Sequence, residues 1–309
     1  MAGVTKTAEN ELCGIICINK PAGFTSFDVI AKLRGILKMK RLGHGGTLDP
    51  MATGVLPVFA GRATKACDIL PDKDKSYEAG FRLGASSDTQ DISGNVVEIG
   101  GISGIKTETV SEILEKFRGE IMQIPPMYSA VSVGGKRLYE LARKGVEIER
   151  EARPVTIYSL ELLQYDEKSG NGTISVSCSK GTYIRTLISD IGQALGSDGI
   201  MTSLVRTRAC GFSLSDCVTL EQLQEISAAD GDFSPFVKSI ETIFADIPRL
   251  ELKGAQERMY RNGVKLDLNR LSFDKTAKRV KIYGESGFIG TALPDREKGI
   301  LKVEKNFKG

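Results

Sequence analysis

The chain has one histidine, His44, in 309 residues, which excludes multi-histidine metal sites. No G-x-S-x-G accompanies it, so the common serine-hydrolase arrangement is excluded as well. Its six cysteines (Cys13, Cys17, Cys67, Cys178, Cys210 and Cys217) never fall into a C-x-x-C pair. They read as reduced, mostly buried thiols of a cytoplasmic protein. A Walker sequence and a G-x-G-x-x-G are both missing, which removes the usual signs of a phosphate-bearing cofactor. Long apolar runs are missing too. Leu12 to Ile18 and Val55 to Ala60 fall far short of the roughly 20 residues that span a bilayer. The N-terminus carries no basic stretch feeding an apolar segment and a small-residue cleavage site, so no signal peptide is expected. Membrane and secreted classes are set aside. An enzyme built from this composition would work with carboxylate, phenol, lysine and arginine, without metal or cofactor.

What is present describes a globular chain: 41% hydrophobic and 26% charged residues, enough for a real core. The length suits one large domain with a smaller one attached. The net charge of +3 is unevenly placed. Residues 249–309 hold 15 lysines and arginines against 8 acids, while residues 1–248 hold 27 against 31. A basic tail on a near-neutral body fits either a polyanionic partner or a plain solvated surface.

The body has its own basic stretch. Lys32, Arg34, Lys38, Lys40 and Arg41 lie between Asp28 and Asp49 with no acid among them. Ser26 is the expected N-cap of a helix here, with Asp28 in its first turn. Val29, Ile30, Leu33, Ile36 and Leu37 share one face, which leaves Arg34 and Lys38 to project from the other. Further helices are expected over Val110–Phe117, Leu138–Lys144 and Ile184–Leu195, the last stopped by Gly196. Thr219 with Gln222 reads as a capping box, and Thr173–Cys178 alternates as a strand. Beyond Pro248 the pattern turns to short strands, Arg279–Tyr283, Phe288–Leu293 and Ile300–Val303. The expected fold is α+β, with a body over residues 1–247 and a small β-rich domain over 248–309.

The most informative segment is Leu42-Gly43-His44-Gly45-Gly46-Thr47-Leu48-Asp49-Pro50. Three glycines in four residues let the backbone come close to a ligand. Pro50 holds Asp49 out of the α conformation. The carboxylate is then either a fixed reactive group beside bound phosphates or an ordinary Asp-Pro turn, and the segment alone allows both.

The motifs as a set resemble the TruB family of tRNA pseudouridine synthases. Lys20-Pro21-Ala22-Gly23-Phe24-Thr25-Ser26, Gly43 to Pro50 and Ala52-Thr53-Gly54-Val55-Leu56 follow one another in family order. Ala63-Thr64-Lys65, Lys75-Ser76-Tyr77, Pro125 to Ala130, Gly135 to Tyr139 and Cys178 to Arg185 continue it, so that the likeness spans about residues 14–215. The resemblance implies a pseudouridine synthase fold, with a mixed and largely antiparallel central sheet flanked by helices. A PUA-like RNA-binding end is implied more loosely, and rests mainly on the charge and short strands of the tail.

The resemblance also implies a reaction. The T-loop uridine of tRNA (position 55) is flipped out, its N-glycosidic bond is cut, the uracil turns, and it is rejoined through C5. Flipping costs a few kcal/mol of unstacking, to be offset by phosphate contacts and by stacking on an aromatic face. Asp49 matches the catalytic aspartate, acting either as nucleophile or as base at the sugar C2′. Arg185 matches the arginine beside it, and Tyr77 the ring that stacks on uracil. Tyr183 and Leu204 match further pocket positions; Lys20 and His44 match residues next to the site, and Lys65 one in reach of a phosphate. No metal or cofactor is implied, and the expected partner is the tRNA T-arm stem-loop. We also expect a monomer, with no membrane and no nucleotide cofactor.

Two departures stand out. Ser87-Asp88-Thr89-Gln90-Asp91 replaces a Thr-Asp-Thr-x-Asp run and keeps the hydroxyl. Val205 stands where an arginine is frequent, which removes one phosphate contact. The competing reading is a non-catalytic tRNA-binding or folding protein on the same fold, which would have no need of Asp49, Tyr77 and Arg185 together. A hydrolase using Asp49 lacks an acid partner at a recognisable spacing.

Overall fold

The computed structural model describes residues 12–129, 131–274 and 276–308. Residues 1–11, Ala130, Lys275 and Gly309, which belong to the expected domains and to one of the motifs, lie outside the described residues. The chain opens with β1 (Gly14–Lys20), α1 (Ser26–Ile36), β2 (Leu42–His44), β3 (Thr53–Ala60) and β4 (Lys75–Leu83). A small hairpin, β5 (Ala85–Ser87) with β6 (Val96–Glu98), precedes α2 (Thr107–Glu115) and β7 (Gly119–Gln123). A second hairpin, β8 (Ser132–Val133) with β9 (Lys136–Arg137), leads into α3 (Leu138–Ala142). Then come β10 (Arg153–Asp166), β11 (Asn171–Cys178), α4 (Ile184–Ala194), β12 (Gly199–Ala209), β13 (Phe212–Ser213) and α5 (Leu220–Ala228). The tail supplies β14 (Arg249–Glu251), α6 (Ala255–Arg261), β15 (Leu266–Asp267), β16 (Val280–Gly284), β17 (Gly287–Asp295) and β18 (Ile300–Asn306).

The body is one nine-stranded sheet in the order β1-β3-β12-β4-β11-β10-β7, with β2 on β3 and β13 on β12. Every pairing in it is antiparallel except β3 with β12. The mixed, largely antiparallel sheet is as expected. The two longest apolar runs of the sequence are its neighbouring strands β1 and β3, paired from Gly14–Ala60 to Lys20–Gly54. Both faces of these strands are covered, which is why they read as continuous apolar segments rather than alternating ones. On one face Leu187, Ile188 and Ile191 of α4 and Val110 and Leu114 of α2 pack with Phe81, Ile174 and Met201 of the sheet. Further along the same face Val29, Ile30, Leu33 and Ile36 of α1 and Leu220 and Leu223 of α5 pack on Ile16, Ile18, Leu56 and Val58, while Ile15, Cys17, Val55 and Phe59 on the opposite face of β1 and β3 lie in another apolar cluster. The inward face of α1 is the one its periodicity calls for, with Arg34 exposed on the other side, whereas Lys38, also exposed, lies past the end of the helix at Ile36.

One local expectation is corrected. The N-cap of α1 is Thr25, not Ser26. Thr25 Oγ1 accepts from the Asp28 amide at 3.0 Å, and Asp28 Oδ2 accepts from the Thr25 amide at 2.8 Å. This reciprocal pair satisfies two backbone donors at the helix start, which a serine cap one residue later would not allow. The Ser26 hydroxyl is thereby free for a different partner, described below. The Thr219–Gln222 capping box of α5 forms as expected.

The tail folds into a five-stranded sheet, β14-β16-β17-β18-β15, around its own core of Leu250, Leu252, Tyr260, Ile282, Ile289 and Leu301. It is fastened to the body by a second apolar cluster in which Phe288 and Phe307 close on Phe244, with Phe59 and Ala63 behind them. The sheet is consistent with a PUA-like end. No helix among the described residues is long and apolar enough to cross a membrane.

Candidate active site

Asp49 is held by its backbone before its side chain does anything. Leu48, just ahead of it, is buried, and its amide donates to Ser26 Oγ at 2.8 Å. The Pro50 carbonyl accepts from the Gly23 amide at 2.9 Å and from Lys20 Nζ at 3.1 Å. Lys20, fully buried, also donates to the Pro21 and Phe24 carbonyls. The glycine loop is tied at its start by the Gly45 amide on the Pro57 carbonyl at 2.9 Å. From beneath, Arg206 of β12, fully buried, donates to the carbonyls of Gly46 (3.0 Å), Thr47 (3.1 Å) and Val55 (2.8 Å). Glycine is required on this floor: at Gly54, with φ of +100°, an added Cβ would lie 2.3 Å from the Arg206 carbonyl oxygen.

The Asp49 carboxylate, 38% exposed, places Oδ2 3.2 Å from Nε of Arg185. Arg185 lies in the first turn of α4 with a side chain only 6% exposed. Its other nitrogens are also engaged, Nη1 on the Thr89 carbonyl and Nη2 on the Tyr128 carbonyl, each at 2.9 Å. Nη1 lies 3.7 Å from the buried carboxylate of Asp91. A guanidinium held at four points cannot swing away, so the position of the Asp49 carboxylate is set by a rigid partner. One face of Asp49 stays open to a ligand.

Tyr77 projects from β4 opposite Arg206 of β12 and is buried with Leu48 and Leu204 in the same apolar cluster. Burial pushes its phenol up to about 12, against the opposing pull of the Arg206 charge, so the hydroxyl keeps its proton at neutral pH. Leu204 is likewise buried. His44 ends β2 half-buried, and its Nδ1 accepts from the Gly46 amide at 3.3 Å. Burial, helped by Arg206, holds its pKa below the usual histidine value, which leaves a neutral ring beside the loop. Tyr183 caps α4, its amide and carbonyl clamped by the two ends of the Gln123 side-chain amide at 2.8 and 3.0 Å.

The structure thus gathers Asp49, Arg185, Tyr77, Leu204, Lys20 and His44 around one loop. Lys65 stands apart from them: it sits on the short turn Gly61–Ala66 and donates to the Asn306 carbonyl at 2.7 Å. Sequence reasoning missed three residues of this assembly. Gln123 gave no local signal, and Asp91 left only its place at the end of the Ser87-Asp88-Thr89-Gln90-Asp91 run. Arg206 did leave one, since it follows Leu204 by two residues on a strand whose face is otherwise buried. Among the described residues no group of three or more His, Cys, Asp or Glu side chains could hold a metal ion.

Comparison with known proteins agrees with this geometry. Residues 34–184 match the model of the TruB family pseudouridylate synthase N-terminal domain. Residues 185–245 match that of the tRNA pseudouridylate synthase B C-terminal domain. A tRNA pseudouridine synthase B of Halalkalibacterium halodurans is 44% identical over 302 residues, covering 96% of this chain and 97% of its own. Another from Heliobacterium modesticaldum is 49% identical over 243 residues, 78% of each chain. A solved chain of a Cbf5-Nop10-Gar1 complex superposes with a TM-score of 0.72 at 25% identity, over 96% of this chain and 85% of that one. Matched along nearly its whole length by such a relative, and by family models over residues 34–245, the chain belongs to the TruB family of pseudouridylate synthases.

Proposed function

We propose that this isomerase converts the T-loop uridine at position 55 of tRNA into pseudouridine, with Asp49 as the catalytic residue. The observation that carries the reading is the half-open Asp49 carboxylate, fixed through Oδ2 to a buried Arg185, with its neighbour Leu48 packed in one apolar cluster with Tyr77 and Leu204. A flipped uracil entering there would lie on the Tyr77 ring with its sugar toward the free face of Asp49. The N1–C1′ bond breaks, the base turns, and a C5–C1′ bond forms. The C5 proton is lost and N1 gains one, so the step is redox-neutral and needs no co-reactant. Asp49 can open it in either of two ways, by attack at the sugar or by taking a proton at C2′. The neutral ring of His44, beside the loop, suits stacking against the RNA strand that the uridine has left, and Tyr183 borders the pocket.

The division into a catalytic part over residues 1–247 and an RNA-binding end over 248–309 follows the separate sheets and the surplus of positive charge in the tail. A cytoplasmic setting fits the six unpaired thiols. The test is pseudouridine mapping in tRNA incubated with the protein and with Asp49→Asn. The variant should yield no product while binding tRNA within about 1 kcal/mol of the parent, since shape and phosphate contacts are kept. Full turnover by the variant would refute the assignment and favour a non-catalytic tRNA-binding role for the pocket.

A further inference from the structure

Two buried guanidinium groups stand at the reacting site, in opposite electrical states. Arg185 has the Asp49 carboxylate at 3.2 Å and the Asp91 carboxylate at 3.7 Å, so its charge is answered twice. Arg206, fully buried on β12, makes no ion pair among the described residues. Its partners are the carbonyls of Val55, Thr47 and Gly46, at 2.8, 3.1 and 3.0 Å, and the Tyr77 hydroxyl. Carbonyls satisfy the hydrogen bonding of a guanidinium and leave its charge standing.

Sheet register decides where that charge lies. Arg206 is paired with Tyr77 of β4, and Leu204 precedes it by two residues on β12, so the three side chains share one face of the sheet. On that face Tyr77 and Leu204 pack with Leu48, the neighbour of Asp49. A uracil lying on the Tyr77 ring therefore has Arg206 as the next side chain along the floor. The field of Arg206 reaches the groups around it. Lys75 and His44 are held below their usual pKa values by burial first and by Arg206 next. At Lys20, too, Arg206 adds to the lowering that burial begins.

An unpaired charge is costly to bury, and a neutral amide side chain could tie loop carbonyls without that penalty. The reaction supplies a use for the charge. When the N1–C1′ bond breaks, both of its electrons stay with the uracil, whichever of the two openings Asp49 takes. The base then carries a negative charge over N1, O2 and O4 until the C5–C1′ bond forms. Loss of the C5 proton and gain of one at N1 complete the product. A positive charge already fixed in a site closed to water favours such an anion without any rearrangement at the moment of bond breaking. Arg185, engaged by two carboxylates, has less net charge to offer.

We propose that Arg206 is a positioning residue of the isomerisation, whose unpaired charge, fixed under the Asp49 loop and beside Tyr77, favours the uracil anion formed when the N1–C1′ bond breaks. The proposal rests on the Asp49 pocket being the uridine site. The competing reading is a strut that only ties the loop through its three carbonyls.

The experiment compares the full-length parent, Arg206→Gln and Arg206→Lys in single-turnover assays with protein in excess. The tRNA carries either uridine or 5-fluorouridine at the reacting position, and consumption of that nucleoside is read after nuclease digestion. Fluorine makes uracil a better leaving group and so lessens its need of an external charge. Arg206→Gln should lose about 100-fold or more on uridine, the scale on which one preorganised donor to a developing anion acts, and about tenfold less than that on 5-fluorouridine. Its tRNA affinity should stay within about threefold of the parent, as for an interaction made only in the transition state. Arg206→Lys keeps the charge and gives up the planar fork, so it should stay within about tenfold of the parent on both substrates. Equal losses of Arg206→Gln on the two substrates would overturn the proposal and leave the strut. So would a loss by Arg206→Lys greater than that tenfold, a result that decides alone where Arg206→Gln does not fold. A parent that forms product while the variants behave as a strut overturns this proposal only. A parent that forms none overturns the Asp49 reading and this one with it.

Discussion

Ser26 and Leu48 are joined by a hydrogen bond of 2.8 Å from the Leu48 amide to the Ser26 hydroxyl, with both residues buried. The first turn of α1 and the residue ahead of Asp49 thus form one rigid unit. Ser26→Ala leaves the Leu48 amide without its partner in a site closed to water. The expected cost is about 1–3 kcal/mol, read by urea unfolding at 25 °C, with a loss of turnover as Asp49 loosens. A variant with unchanged stability and rate would show that the loop is held without this bond.

Tyr77→Phe separates stacking from proton transfer. The ring and its burial are kept, so tRNA affinity should stay within about threefold of the parent, as expected when the stacking face survives. The hydroxyl, protonated at neutral pH, is lost together with its contact to Arg206. If it moves a proton, the single-turnover rate should fall roughly 100-fold, the low end of what a positioned proton-transfer group contributes. An unchanged rate restricts Tyr77 to stacking.

Lys20 gives the stability of the site a pH dependence of known sign. Burial pushes its pKa down to about 8, with Asp49 opposing and Arg206 reinforcing the shift. In the unfolded chain a lysine titrates near 10.4. Between about pH 8 and 10.4 the unfolded chain therefore holds a proton that the native chain has released, and stability rises with pH across that window. Below pH 8 both states carry the charge, and the penalty for burying it is present in full. Compared with Lys20→Met, the parent should gain in urea midpoint from pH 8 to 10. A constant difference between the two proteins would show that the native ammonium titrates as an ordinary lysine.

Removal of residues 248–309 should act first on stability. Phe244 would lose Phe288 and Phe307, whose ring centroids each lie 6.0 Å from its own. The Ile69 and Ala245 carbonyls would lose the Arg279 and Lys281 side chains. Losing large buried aromatic neighbours costs about 3–5 kcal/mol at each such site, so the truncated chain should melt well below the parent or aggregate. A soluble truncated chain with the Tm of the parent would show that the body is complete without the tail.

The sequence by itself determined whatever depends on neighbours along the chain. The apolar spacing of α1 settles which side meets the sheet, because residues three and four apart share a helix face. The Thr219–Gln222 box, and Asp49 held between a glycine loop and Pro50, are short motifs whose geometry is local. The order of the motifs was enough to indicate the family. Only the tertiary structure decided the matters that depend on which distant strands pair. It set Arg206 under Gly46, 160 residues earlier in the chain, gave Arg185 its second carboxylate in Asp91, and clamped Tyr183 with Gln123. The same holds for Ser26, whose bond to Leu48 follows from α1 packing against that loop, and for Lys65, drawn to Asn306 once the tail docks. A buried polar group must find its partner among whatever the fold brings near, and those neighbours are set by sheet register and domain packing.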